Sequence, residues 1–184
     1  MNKIVHNPFP NLSTERLFLR RLSAEDDSEI FAIRSNEEMV KYLDRPLSKA
    51  VEETRDFIKK INASIDNNES VYWAVTLKNN PKLIGTICLW NFSDDKSQAE
   101  VGFELLPEYQ GKGIMNEALT AVINYGFSVL ALHSLLGEVD PKNLRSIKLM
   151  ERHSFKLTAP TYGKGTDAEN NSGTVVYELT NSQI

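Results

Sequence analysis

The chain reads as an α+β fold, a mixed and mostly antiparallel sheet flanked by helices. Three observations lead there. Residues 83–90, LIGTICLW, are apolar on both faces, as expected of a central strand covered on each side. Residues 99–106, AEVGFELL, run through a glycine-bracketed turn into an apolar-striped helix and then into the strand 134–139. A strand–helix–strand unit of this kind favours a right-handed parallel crossover. Finally, 71–77 pairs with 83–90, and 155–162 with 174–179, as sequence neighbours that suit antiparallel hairpins.

The remaining elements follow in order. Strand 16–22 comes first, and Ser23, Ala24, Glu25 and Asp26 then resemble a capping box opening a helix to about residue 35. Ser48 is a candidate N-cap for a second helix, in which Val51, Thr54, Ile58, Ile61 and Ile65 recur at three- and four-residue spacing. Lys78 to Lys82, KNNPK, form the hairpin loop, and Pro107 breaks the strand 99–106. The helix after the glycine turn runs to about residue 130, with Ala118, Leu119, Val122, Ile123, Phe127 and Leu130 on its apolar face. A shorter helix covers 143–153, and the Gly- and Asn-rich stretch 163–173 is a long loop. No repeat or linker interrupts the 184 residues, so 1–184 is expected to be one domain.

Composition bounds the function. Hydrophobic residues make up 41% and charged residues 25%, the balance of a globular protein. Lys and Arg total 21 against 25 Asp and Glu, a net charge of -4 that argues against a dedicated nucleic-acid partner. Apolar runs are too short to span a bilayer, and the N-terminus has no secretory h-region. A single cysteine, Cys88, excludes an intramolecular disulfide and suits a cytoplasmic location; inside the apolar run 83–90 it reads as a buried, inert thiol. His6, His133 and His153 are scattered without metal-ligand spacing, so no metal is expected.

The most informative segment is 107–118, PEYQGKGIMNEA. Its turn, Gln110-Gly111-Lys112-Gly113, joins a strand end to a helix start. Glycines there let a ligand approach the backbone, and the free N–H groups of a first helical turn favour an anion such as a pyrophosphate. A tight turn with no ligand explains the same residues. The spacing is not that of a nucleotide P-loop, and Asn116 stands where the dinucleotide fingerprint needs a small residue.

A second block, 140–155, reads DPKNLRSIKLMERHSF. Together the two blocks resemble the acyl-CoA-binding core of the GNAT N-acetyltransferase superfamily. The RimJ/RimL type is the closer likeness: its TERLxLR, AExGY, QGKGxxxEA and NxxSxxLxExxGF patterns appear here in order, as TERLFLR from Thr14, AEVGF from Ala99, QGKGIMNEA from Gln110 and Asn143 to Phe155. The resemblance covers nearly the whole chain. It implies two parallel strands that splay to admit the pantetheine arm, acetyl-CoA as co-substrate, and an amine acceptor. That acceptor is expected to be a protein N-terminus of the ribosomal kind, with a small amine or antibiotic, or a non-catalytic acyl-CoA sensor, as alternatives. The oligomeric state stays open, a homodimer included.

The resemblance assigns cofactor contacts to the backbone of Gln110, Gly111, Lys112, Gly113, Ile114, Met115 and Asn116, and to the strand end Leu105 and Leu106. Position 115 departs from the family's usual small residue. Asn143 reads either as an N-cap or as a contact to the cofactor arm. The wider superfamily's tyrosine acid is replaced by Met150, which cannot donate a proton, whereas Ser146, one turn earlier, matches the serine of RimJ/RimL-type enzymes. Glu100 and Glu104 alternate about Gly102 and share a sheet face, so either can act as a base, attract a cationic amine, or be a solvated strand residue. With the net charge of -4, that face is expected to favour positively charged acceptors. Tyr42, Trp73 and Trp90 are candidates for lining the acceptor side or for the core. Acceptor choice falls to the first two helices and the 163–173 loop.

Overall fold

The computed structural model describes residues 8–43, 45–161 and 173–181. In chain order the elements are β1 (Leu12–Ser13), β2 (Leu17–Arg21), α1 (Asp27–Arg34), α2 (Glu37–Val40), α3 (Val51–Asp66), β3 (Val71–Leu77), β4 (Asn80–Trp90), β5 (Gln98–Leu105), α4 (Ile114–Ser128), β6 (Ser134–Val139), α5 (Leu144–Arg152), β7 (Lys156–Thr161) and β8 (Thr174–Thr180). The strands form one eight-stranded sheet in the order β1-β2-β3-β4-β5-β6-β8-β7. Only β5 and β6 pair in parallel, as the crossover through α4 requires.

Alternation along the strands sorts the core into two layers. Ala99, Val101 and Leu105 of β5 join Trp73, Val75, Ile87 and Leu89 beneath Ala118, Leu119 and Val122 of α4. Tyr72 and Ala74 point the other way, packing with Ile30, Ile33, Ile58 and Ile65 of α1 and α3. Trp73 belongs wholly to the first layer. It is fully buried, its indole N–H donates to Pro10 O at 2.7 Å, and its ring meets Tyr125 edge-on at 5.4 Å. It is a core residue and not part of an acceptor wall.

Several local expectations need correction. Ser48 caps nothing: α3 starts at Val51 after Ala50, which makes no side-chain cap. The preceding backbone is satisfied otherwise, Ser48 N–H by Arg34 O at 3.0 Å and Lys49 N–H by the Glu53 carboxylate at 3.0 Å. The capping box at Ser23 is present, with Asp26 as its second member, but it opens a short 3-10 turn (Ala24–Asp26) ahead of α1. Strand β4 begins at Asn80, so the hairpin turn is only Lys78 and Asn79. The short β1 and α2 carry too few periodic residues to be read from sequence. Tyr162 and nearly all of the 163–173 loop lie outside the described residues, as does His6.

One close approach in the sheet constrains a side chain. A Cβ on Gly85 would sit 2.5 Å from Glu104 O and 2.9 Å from Leu105 Cδ1. Backbone cannot yield as a flexible side chain can. Gly85→Ala is therefore expected to lower stability by about 1–3 kcal/mol, in the range of core overpacking, read as a reduced urea midpoint with an unchanged slope.

Candidate active site

Both turn glycines adopt the left-handed region, Gly111 and Gly113 each at φ +73°. Gly113 is the N-cap of α4 and carries no side chain over the helix end. The backbone N–H groups of 111–116 find no acceptor among the described residues. Converging amides at a helix N-terminus suit a pyrophosphate. The Met115 and Ile114 side chains turn into the core, so the bulk of Met115 does not intrude on this site. Lys112 is exposed, its ammonium 5.9 Å from the Tyr109 ring centre. Gln110 contributes differently from expectation, because its N–H is already bonded to Pro107 O at 3.1 Å.

A latch from the other end of the chain holds this turn. Arg16 Nε donates to Glu117 Oε2 at 2.6 Å, Arg16 N–H and the Thr14 hydroxyl both donate to Glu117 Oε1, and Arg16 Nη1 reaches Lys112 O at 3.0 Å. Burial alone would raise the Glu117 carboxyl, but the Thr14 and Arg16 hydrogen bonds and the Arg16 charge hold it below its ordinary value. A cavity of about 840 Å³ runs beside the latch along α4, from Gly113 and Asn116 to Ser128. It touches neither Glu100, Glu104 nor Ser146.

The parallel pairing of β5 with β6 covers only Gln98↔Ser134, Ala99↔Leu135 and Glu100↔Leu136. Past that point the strands part. Leu106 N–H donates to Ile84 O at 3.0 Å, and antiparallel residues alternate, so Glu100, Gly102 and Glu104 aim their backbone at β4 while Val101, Phe103 and Leu105 aim theirs at the gap. The last parallel pair uses Val101 N–H, which leaves Val101 C=O, both groups of Phe103 and Leu105 N–H along the open edge. These edge amides and carbonyls suit the amide groups of a pantetheine arm. Leu106 drops out of the set: its N–H is taken by Ile84 and its C=O by Tyr109 N–H at 2.9 Å. Phe103, which no sequence motif singles out, enters it by register.

Helix α5 starts at the mouth of this gap. Arg145 Nη1 donates to Gln110 Oε1 at 2.7 Å, and Gln110 Nε2 donates to Leu105 O at 2.8 Å, linking α5 through the turn to β5. Asn143 is the N-cap, its side chain accepting from Ser146 N–H at 3.2 Å. The Ser146 hydroxyl is half-buried and has no hydrogen-bond partner among the described residues. Met150 is buried over β6, its sulfur only 2.3 Å from where a Cβ on Gly137 would fall. At the far end of α5, burial and the neighbouring Arg152 lower the His153 pKa, against an opposing hydrogen bond to the Asn116 backbone.

On the opposite sheet face, Glu100 and Glu104 do share a side but not an environment. Glu100 Oε1 accepts from Asn91 Nδ2 at 2.6 Å. Glu104 is ion-paired with Arg45 at 2.5 Å, and Arg34 also bears on it electrostatically. The expected pair of free carboxylates is therefore one carboxylate and one neutralised ion pair. Cys88 Sγ and Trp90 Nε1 cover Gly102 between them, so Trp90 does stand on this face. Burial pushes the Cys88 thiol up to about 12, which keeps it protonated and inert. Tyr42 is half-buried, with the Lys41 ammonium 5.5 Å from its ring centre. Among the described residues, no cluster of His, Cys, Asp and Glu could hold a metal, and no helix is long and apolar enough to cross a membrane.

The pattern of the family described as the acetyltransferase (GNAT) domain matches residues 16–156. The chain belongs to the GNAT acetyltransferases. It is 30% identical over 172 residues to the uncharacterised N-acetyltransferase YoaA of Bacillus subtilis (strain 168), spanning 91% of this chain and 97% of that one. Identity to the spermidine N(1)-acetyltransferase of Escherichia coli (strain K12) is 27%, over 79% of this chain and 75% of the other. The ribosomal-protein-S5-alanine acetyltransferase of Vibrio fischeri shares the fold with a TM-score of 0.78 at 23% identity, covering 94% of this chain and 97% of that one. As a GNAT enzyme the protein is an acetyl-CoA-dependent N-acetyltransferase whose acceptor is an amine.

Two outcomes test the turn. Gly113→Val forces a β-branched residue into the left-handed region and is expected to abolish acetyl-CoA binding by calorimetry, a larger loss than Lys112→Ala causes. Glu117→Gln tests the latch by acid titration. A depressed carboxyl stabilises the fold above its unfolded value of 4.5 and loses that contribution as pH falls through the folded value. The variant is expected to be less stable at neutral pH and to lose less on acidification, with the difference shrinking below pH 4.5.

Proposed function

We propose that residues 1–184 act as one cytoplasmic acetyltransferase domain of RimJ/RimL type that acetylates the α-amine of a protein N-terminus. The observation that carries this reading is the α5 pair: a Ser146 hydroxyl without a partner among the described residues, one turn from a Met150 buried against Gly137. Met150 stands where the wider superfamily uses a tyrosine, and the serine one turn earlier matches the one of RimJ/RimL-type enzymes. The ribosomal-protein relative of like fold supports the same acceptor class.

Acetyl-CoA supplies an activated acyl thioester. The 111–116 amides hold its pyrophosphate, and the open edge of β5 at Val101, Phe103 and Leu105 aligns the arm in the gap. An acceptor amine must shed a proton before attack. Glu100 is the candidate base, because Asn91 occupies one of its oxygens and the other has no partner among the described residues, whereas Glu104 is engaged by Arg45. Ser146 hands a proton to the departing sulfur, and Asn143 fixes the helix turn that carries it. Much of the rate comes from holding amine and thioester together.

The spermidine-acetylating relative supports a second reading, a small polyamine acceptor. The pairing of Glu104 with Arg45 weighs against it, since a polycation needs uncompensated carboxylates. Thiol release from acetyl-CoA with N-terminal peptides and with spermidine separates the two, and faster turnover of spermidine would overturn the N-terminal reading. Ser146→Ala is expected to lower kcat about ten- to a thousand-fold with acetyl-CoA affinity retained. Full turnover in the alanine variant, with chemistry rate-limiting, would reduce Ser146 to a helix residue.

A further inference from the structure

The face that bears Glu100 and Glu104 is more cationic than its carboxylates suggest. Arg45, on the segment between α2 and α3, reaches Glu104 through Nη2, while its Nη1 is buried with no acceptor among the described residues. Arg34, in the last turn of α1, is near enough to feel the charges of both Arg45 and Glu104. Its guanidinium sits 4.1 Å over the Phe57 ring, its Nε is buried, and its side chain makes no hydrogen bond within the described residues. Two guanidiniums thus fall within the field of one carboxylate, which only Arg45 pairs directly. The other acidic groups near them are otherwise engaged: Glu53 accepts from Lys49 N–H, and Glu100 is four residues back along β5, held by Asn91.

An arrangement of this kind is costly in the free protein. Two like charges lie close together away from water, and two N–H donors are left without partners. Burial, and then the Arg45 charge, drive the Arg34 pKa below its ordinary value, consistent with that cost. Neither cation can be explained by the packing of α1 on the sheet, which aliphatic residues accomplish. An incoming oxyanion would satisfy both donors and balance the charge. Planar guanidiniums are well matched to a carboxylate.

The location gives the site its purpose. Glu104 points to the face opposite α4 and α5, beside the stretch of β5 where the strands have parted. A cofactor held by α4 enters from one face, so the acceptor amine reaches the same gap from the other, past Arg34 and Arg45. We infer that Arg34 and Arg45 form an anion-recognition site that selects an amine acceptor carrying a carboxylate close to its amine, which for a protein N-terminus means an acidic residue within its first few positions. This deepens the N-terminal reading and rests on that face being the acceptor side.

The test uses short peptides with a free N-terminal amine and Glu at position 2, 3 or 4, each against its Gln counterpart, with acetyl-CoA saturating. For at least one position the wild-type enzyme should show a KM at least about ten-fold lower for the Glu peptide, the scale of a charge-assisted hydrogen bond. Arg34→Gln should erase that difference while leaving kcat on the Gln peptide and the KM for acetyl-CoA unchanged; Arg34→Lys should restore part of it. Equal KM for every Glu and Gln pair in the wild-type enzyme overturns the inference, even if Arg34→Gln fails to fold, and so does a difference that survives in Arg34→Gln. Peptide turnover without an Arg34-dependent preference leaves the N-terminal reading standing and removes the anion site. No peptide turnover, with an Arg34-dependent preference for a free amino acid over its amide, does the reverse.

Discussion

Val101, Phe103 and Leu105 offer backbone groups to a strand that has turned away. Sheet hydrogen bonds are satisfied strand to strand, and a row of them left open in the middle of an eight-stranded sheet needs another partner. That single interruption arranges the rest of the molecule. It divides the sheet into a β1–β5 half and a β6–β8 half, joined by three parallel pairs and by the α4 crossover. Helix α4 must begin at the gap because it leaves the end of β5, and α5 must begin there because it leaves the end of β6. The 111–116 amides and the Ser146 hydroxyl are brought to one opening by connectivity alone.

Such an opening is mechanically weak unless it is tied. Two sets of contacts do so. At the rear of the turn, Glu117 gathers Thr14 and Arg16, so the segment before β2 braces the start of α4. At the front, Arg145 and Gln110 carry a hydrogen-bonded path from α5 to Leu105. Both leave the 111–116 amides untouched. The left-handed glycines are what permit this, because a side chain at either would strain the turn that exposes those amides.

The two faces of the gap differ in electrostatic character. On the α4 side the positive groups are mainly backbone amides, fixed in direction and always present. On the α1 and α3 side they are guanidiniums, with Glu104 as a partial counterweight and the aromatic rings of Phe57, Tyr72 and Trp90 nearby. Burial holds Tyr72 and Cys88 protonated.

Local pattern was enough for much of this. Alternation in 71–77 and 99–106, the all-apolar run in 83–90, the helical spacing from Val51 to Ile65 and the glycine-bracketed turn each encode their own conformation, because residues two, three or four apart decide which face is buried. Asn143 as an N-cap was legible for the same reason, whereas Ser146 was singled out by the resemblance to RimJ/RimL-type chains. The sequence alone did not reveal that Leu106 faces the wrong strand, that Phe103 faces the gap, or that Trp73 is core, since each depends on register between strands distant in the chain. Nor did it reveal the charge of the face that bears Glu100 and Glu104. Glu100 and Glu104 look alike at two-residue alternation, but Arg45 comes from 59 residues earlier and Arg34 from a different helix. Net charge and spacing are sums along the chain, whereas an ion pair is a fact of three-dimensional proximity, and only the folded structure decides which carboxylate stays free.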